Sequence, residues 1–346
     1  MALWRAKLKG MFMLFRILAV LVWACTAGTV ATAAAVLDGQ AVELSVFAFV
    51  LLMAALVQGY PAHIINEIYD WQSGSDRPLD LPGERRTGSR DARRPAAGGS
   101  KVLAAGLLTI PELWCLFHVT TACVIGLTVF AGLERSTALL WFIIPGYFLC
   151  IFYTLPPFRF AYRPFAGEYL GGFAGIVLLV TGAYYAQSLT LPRAIVMLAC
   201  GLGFHYAAIM VFFHYVDYSR DRLATPPKRT SVVQLGLEGS RRYALINTAI
   251  GTLLLLVLAV TRHPDYAWLV AQGALIFYCH LRVDPANDRS IVFWGKRMTY
   301  GVLVAGVAFA MIADRVFVLM IGLYALGFWL HQRFGKLRPA AALQQI

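Results

Sequence analysis

Charge is what this sequence has least of. Only 14% of its 346 residues are Asp, Glu, Lys or Arg, against roughly 25% in an ordinary soluble domain. A chain that is 59% hydrophobic cannot supply the polar surface a soluble fold of this length needs. The six cysteines show neither metal-ligand spacing nor a disulfide framework. Five lie inside apolar runs and Cys115 near the start of one, which reads as thiols in a core. No dinucleotide fingerprint or phosphate-binding glycine loop stands out, and no repeat is evident. His63, His205 and His214 form no zinc pattern with an acid. A soluble domain, a zinc module and a disulfide scaffold are thereby excluded.

What is present is a series of long apolar runs, near 17–36, 41–64, 107–131, 137–155, 169–187, 192–213, 243–261, 265–281, 298–313 and 315–331. Such runs are long enough to cross a hydrocarbon core roughly 30 Å thick. They are continuous rather than alternating, so helices are expected, not a barrel. The last two are joined only by Asp314 and Arg315, which leaves two spans or one bent element. The expected fold is all-α, a polytopic membrane bundle of nine or ten helices, in a single domain with its core at about 15–332. The TAAAV stretch of the first run resembles a cleavage site. Its apolar core is longer than that of a typical signal peptide, so an uncleaved first helix is expected.

The net charge of +12 is not spread as in a nucleic-acid binder. Basic residues gather at Arg5, Lys7 and Lys9, in 77–101, at Arg159 and Arg163, and in 222–242, 282–297 and 333–338. The short loops around 37–42, 132–136, 188–191 and 262–264 are poor in them. That alternation puts the N-terminus and the basic loops on the cytoplasmic side of the cell (inner or plasma) membrane. The expected active-site loops are about 66–106, 153–168 and 214–242.

Topology does not account for the acids in those loops. Asn66 and Asp70 are four apart and share one face if the helix continues. Gly74 can then turn the chain so that Asp76 folds back toward them. Asp80, Glu84 and Asp91 read as solvated loop charges. Asp217 and Asp221 are also i,i+4, where like charges repel unless a cation sits between them. Magnesium suits such a place, being hard, oxygen-seeking and a common bridge from carboxylates to phosphates. An ordinary salt bridge from Arg222 is the plain alternative. Lys228, Arg229 and Thr230 follow a Pro-Pro turn and are placed to meet phosphate oxygens, as are Arg159 and Arg163. Tyr153 and Tyr162 suit either an aromatic acceptor pocket or an interfacial anchor. His214, three residues before Asp217, reads equally as a site residue or a packing histidine.

Four ordered blocks carry a resemblance. They are NEIYDWQSGSD at 66–76, RRPAAGGSKVLAAGLL at 93–108, YTLPPFRFAYRPFAGE at 153–168 and DYSRDRLATPPKRTSVVQLG at 217–236. Together they resemble the UbiA superfamily of intramembrane aromatic prenyltransferases, over about residues 15 to 330. Within it they look most like the 1,4-dihydroxy-2-naphthoate prenyltransferases of menaquinone synthesis. The resemblance implies two Asp-rich motifs facing each other across a bundle of usually nine spans, holding a polyprenyl diphosphate through Mg2+. Asn66, Asp70 and Asp76 take the places of the first motif, and Asp217 and Asp221 those of the second. It implies metal ligation by Asp70, Asp76, Asp217 and Asp221, with Lys101, Arg159, Arg163, Lys228 and Arg229 at diphosphate-binding positions. The sequence departs where Glu67 stands for a common Asp, where Phe213, His214 and Val216 replace an Asn-Asn-x-Arg run, and where TPPKRT is longer than the usual Gly-Lys-x-Thr stretch.

The expected partners are a polyprenyl diphosphate, a small aromatic acceptor and membrane lipid; the departures leave open, beside 1,4-dihydroxy-2-naphthoate, a different aromatic or lipid acceptor. Once the diphosphate charge is neutralised, an allylic C–O bond can ionise in a shelter dry enough to protect the cation, and an electron-rich aromatic carbon can attack it. Two other classes compete. A multi-span transporter of an anionic or phosphorylated lipid would move its substrate unchanged, while a membrane scaffold would give the aspartates no task.

Overall fold

The computed structural model describes residues 2–74 and 100–335, and Asp76 and the charges Asp80, Glu84 and Asp91 lie outside them. Ten helical rods run in sequence: α1 (Trp4–Leu37), α2 (Leu44–Ser73), α3 (Ile110–Glu134), α4 (Thr137–Ile151), α5 (Gly167–Ser188), α6 (Arg193–Leu223), α7 (Ser231–Thr261), α8 (Ala267–Arg282), α9 (Asp288–Ala313) and α10 (Arg315–Phe334). Eight are long and apolar enough to cross a membrane; α4 and α8 are shorter. The fold is all-helical, with no strand among the described residues.

Asp314 settles the question left at the end of the chain. It leaves helical geometry and caps the next element by accepting from Val316 N at 2.8 Å, so the last two runs are separate helices. Thr109 and Glu112 cap α3 reciprocally, and Thr230 caps α7 through Val233 N. Several helices outrun their apolar stretches. The second reaches Ser73 and the sixth Leu223. Residues 66–73 and 214–223 are thus helix, and only 224–230 connects α6 to α7.

Packing contacts run α1–α5–α6–α7–α8–α9 and back to α1, a closed circuit, with α6 reaching across to α8 and α9. Small residues make the close approaches possible: TAGTVATAAA at 26–35 of α1 is wholly buried. Helices α2, α4 and α10 pack outside that circuit, with α3 against α2. Outward faces are apolar, including Leu133, Trp141 and Val260, each more than three-quarters exposed. In water this band would be an aggregation hazard, whereas lipid covers it. Cys25 and Cys279 are core thiols as expected, while Cys115 and Cys123 face outward from α3.

Polar contacts mark the two ends. At one, Arg135 clasps Glu43 and the Gln187 carbonyl, and Asp38 accepts from Tyr184 and Arg262. At the other, Lys7 meets Glu112, Glu67 binds residues 100–103, and Ser73 joins Thr225. Every acidic motif residue described lies at this second end.

Candidate active site

Helix α2 reaches the site through a π turn, Gln58–Ala62, that contains Pro61. Proline lacks the N–H needed to continue an α ladder, and such wide turns recur at functional sites. Beyond it the chain is regular again. Asn66 Nδ2 donates to Asp70 Oδ2 at 2.8 Å, the expected shared face. The helix stops at Gly74, whose φ of 84° is the left-handed conformation that favours glycine.

Lys228 ties the two acidic segments together. Its backbone N–H donates to the Asp221 carbonyl at 2.9 Å, and its Nζ donates to Asp70 Oδ2 at 2.9 Å. Thr225 N donates to the Ser73 carbonyl at 2.9 Å, closing the connector onto the end of α2. Asp70 and Asp221 are each 1% exposed and Lys228 is 7% exposed. Burial pulls the Lys228 ammonium toward its neutral form, but the Asp70 and Asp221 carboxylates outweigh that and hold it well above the ordinary lysine value.

The loop between α4 and α5 closes the site from the side. Ala161 N donates to the Tyr153 carbonyl at 2.8 Å, folding the loop on itself. Tyr162 then points inward, its single hydroxyl proton shared between Asp70 Oδ1 at 3.1 Å and Ser73 Oγ at 3.0 Å. Arg159 lies over the Tyr69 and Tyr162 rings, 5.6 and 5.5 Å from their centroids. Burial raises the Tyr162 phenol, with the Asp70 charge adding to it, so the group stays protonated at neutral pH.

A second polar chain stands beside this one. His214 Nδ1 donates to Glu168 Oε1 at 3.0 Å, and the Tyr153 hydroxyl meets His214 Nε2 at 3.3 Å. Ser231 Oγ donates to Glu168 Oε2 at 2.7 Å and itself accepts from Phe165 N at 2.9 Å. Glu168 is 1% exposed, at the head of the π-helical stretch Gly167–Ala174 that opens α5.

Not every expected residue converges. Arg163 is exposed and donates to the Pro157 carbonyl at 3.3 Å, and Arg229 is exposed on the connector. Arg222 lies over Tyr218 and donates to its hydroxyl at 3.4 Å. Lys101 is held through its backbone N–H, which donates to Glu67 Oε2 at 3.1 Å. Three residues escaped the sequence reading. Glu67, in the sequence only a departure from a common Asp, is buried and accepts from Ser100, Lys101 and Leu103. Glu168 and Ser231 were not singled out. The available signal was a lone acid at the edge of an apolar run, where burying a charge demands partners.

Among the described residues no group of three or more His, Cys, Asp or Glu is arranged to hold a metal. The donor chemistry is nonetheless that of a hard cation: Asp70, Asp217 and Asp221 lie near enough to act on one another and on Lys228, and with the Asn66 amide they offer oxygen donors and no thiolate. Next to the site runs an apolar cavity of about 160 Å³ between α1, α2, α4 and α5, lined by Trp23, Met53, Gln58, Tyr147, Gly171 and Ala186 among others. Gly171 also abuts the Tyr153 ring, where a Cβ would come within 2.7 Å, so the cavity begins beside the polar site. From Gly171 to Ala186 it follows α5 for roughly 22 Å at about 1.5 Å per residue.

A closed circuit of apolar helices thus carries carboxylates and a buried lysine at one end, with an apolar slot that begins beside them and runs along α5. The sequence profile of the UbiA prenyltransferase family matches residues 21–294, and the chain belongs to that family. Solved structures share the fold at low identity. A UbiA homolog from Archaeoglobus fulgidus bound to GPP and Mg2+ is 16% identical, with a TM-score of 0.61, covering 87% of this chain and 99% of that one. The same homolog bound to DMAPP and Mg2+ gives 16% and 0.61, covering 88% and 99%. The apo UbiA homolog from Aeropyrum pernix K1 gives 16% and 0.60, covering 84% and 98%. No curated protein matches the chain. The protein is an integral membrane member of a prenyltransferase family.

Proposed function

We propose that this protein transfers a polyprenyl group from an allylic polyprenyl diphosphate to an aromatic acceptor, with 1,4-dihydroxy-2-naphthoate, as in menaquinone synthesis, the acceptor to try first. The observation that carries this reading is the Lys228–Asp70 pair. It joins the two acidic helix ends at the mouth of an apolar slot, where a diphosphate head and an isoprenoid tail find complementary surroundings side by side. The relatives solved with GPP or DMAPP and Mg2+ support the same donor class and cofactor.

Asp70, Asp217 and Asp221, with Asp76, would hold Mg2+, which supplies charge neutralisation of the leaving diphosphate. Asn66 orients Asp70 through its amide. Lys228 and Arg159 bring positive charge to the diphosphate oxygens from inside the site. Lys101, Arg163 and Arg229 bring it from the rim, where Arg163 and Arg229 are exposed. The slot keeps water from the allylic cation. Tyr153, Tyr162 and His214 border the place the acceptor would take. The site end faces the cytoplasm, in keeping with its basic loops.

The test is transfer by the purified protein in lipid nanodiscs, with Mg2+, labelled geranyl diphosphate and a panel of aromatic acceptors, read by mass. A prenylated naphthoquinol supports both class and acceptor. Product with another acceptor keeps the reaction and reassigns the pathway. Labelled diphosphate crossing a sealed vesicle unchanged, with no product, would replace the proposal with transport.

A further inference from the structure

Glu168, which is buried, and His214 and Tyr153, which are half-buried, form a line of three hydrogen-bonding groups that diphosphate binding does not require. In a neutral imidazole the contacts fix the tautomer. A carboxylate accepts only, so the His214 proton sits on Nδ1 toward Glu168, 3.0 Å away. Nε2 is then a free acceptor facing the Tyr153 hydroxyl at 3.3 Å. With its proton directed to His214, the Tyr153 oxygen has lone pairs left for a third group. Gly167 and Gly171 lie against its ring, the latter at the mouth of the apolar slot. Glu168 is steadied on its other oxygen by Ser231, so the imidazole is oriented from behind.

We propose that Tyr153, backed by His214 and Glu168, is the general base that takes the hydroxyl proton of a phenolic acceptor. This rests on the prenyl-transfer reading above. The acceptor O–H bond breaks and its electron pair moves into the ring. A ring carbon bonds to the allylic carbon, and the C–O bond to diphosphate breaks with its pair leaving on diphosphate. The proton goes to Tyr153 Oη while the Tyr153 proton passes to His214 Nε2, leaving an imidazolium against the Glu168 carboxylate. With a 2-carboxylated naphthol the product of this step is a β-keto carboxylate. Loss of CO2 returns the carboxylate electron pair to the ring, and the resulting naphtholate takes the proton back. No outside oxidant or reductant is needed.

Burial fits Tyr153 to the part, because it raises the phenol above its ordinary value and keeps the group protonated between turnovers. The charged and titratable groups around His214 are Glu168 on α5, Asp217 and Asp221 on α6, Lys228 on the connector and Tyr153 itself. Only Glu168 and Tyr153 are hydrogen-bonded to its ring among the contacts described. In this arrangement Tyr153 would touch the acceptor, while His214 and Glu168 are positioning residues that act through it.

The experiment uses the whole protein in nanodiscs with Mg2+, geranyl diphosphate and 1,4-dihydroxy-2-naphthoate or 4-hydroxybenzoate, whichever the wild type prenylates. Tyr153→Phe and His214→Gln are measured from pH 6 to 9. General-base loss predicts a fall in kcat of about 10²- to 10⁴-fold at pH 7, with geranyl diphosphate affinity within twofold of wild type. The deficit should shrink about tenfold per pH unit as solvent takes over deprotonation of a phenol whose ordinary pKa is near 10. Glu168→Gln should give a smaller fall with the same slope. A deficit equal at every pH means packing and overturns the relay, as does a Tyr153→Phe variant of wild-type kcat. Tyr153→Phe leaves the ring in place, so it decides the matter if His214→Gln does not fold. Geranyl diphosphate binding with no product from any acceptor in the wild type overturns prenyl transfer itself, and the relay with it.

Discussion

Removing the Asp70 charge separates what holds the site together from what makes it work. Asp70→Asn keeps the shape of the side chain, and its amide oxygen still accepts from Tyr162. It leaves the Lys228 ammonium 7% exposed, with the Asp221 carboxylate still acting on it. Breaking a buried ion pair by removing one partner costs about 3–5 kcal/mol, and the Asp221 carboxylate argues for the lower end, about 3 kcal/mol. Adding Lys228→Met removes the stranded charge in a side chain of similar reach. Replacing a whole buried pair by apolar groups is often close to neutral, so the double variant should recover to within about 1 kcal/mol of wild type. Activity should not recover. Each lost charge-stabilising group costs about 10²–10³ in transfer, and the double variant loses two. Unfolding by denaturing detergent in maltoside micelles and the transfer assay, run on the same four samples, read the two quantities. A double variant as unstable as Asp70→Asn, or one that regains transfer along with stability, refutes the assignment of this pair.

Three further outcomes are expected. Glu67→Gln should loosen the segment after residue 99, because a charged acceptor of four donors becomes a neutral one; the loss is about 2 kcal/mol, seen as faster amide exchange at Ser100, Lys101 and Leu103 with little change at α6. Gly146→Leu meets nothing within 4 Å at its Cβ and lines the apolar slot, so the fold should hold while long prenyl donors lose kcat/KM and geranyl diphosphate does not. The Lys228 pKa is raised in the fold, so its contribution to stability is fully present below the ordinary lysine value of 10.5 and fades only as pH climbs through the higher folded value. The stability gap between wild type and Lys228→Met should therefore stay flat from pH 7 to 10, and a gap that closes below pH 9 contradicts the pairing.

Apolar runs announced the helices because lipid demands continuous hydrophobicity, and the Asp314 break was visible as the one polar joint in a long apolar tract. Helix ends were harder. α6 continues to Leu223, past the point where its sequence turns polar, since packing against α7 sustains it. Asn66 and Asp70 were legible because their spacing is local. The Lys228–Asp70 pair was not, since its partners are 158 residues apart and meet only through the fold. Charge and family position mark Arg163 and Arg229 in the sequence, and neither says which way a loop side chain turns. Glu168 looked like a boundary residue. Its role depends on a π-helical stretch, and no composition signals that.

That stretch, Gly167–Ala174, has a consequence for how relatives of this chain are compared. One residue of a regular helix corresponds to a rotation of roughly 100°. A wide turn that absorbs an additional residue therefore lets the head of α5 aim Glu168 at His214 while the rest of the helix keeps its own buried face. The two halves follow different phases. Deleting a single residue between 169 and 174 would leave α5 as apolar as before and still long enough to span, yet would turn Glu168 out of reach of His214. An alignment that closes such a gap for tidiness would erase the difference between a helix that crosses a membrane and one that also delivers an acid to an active site.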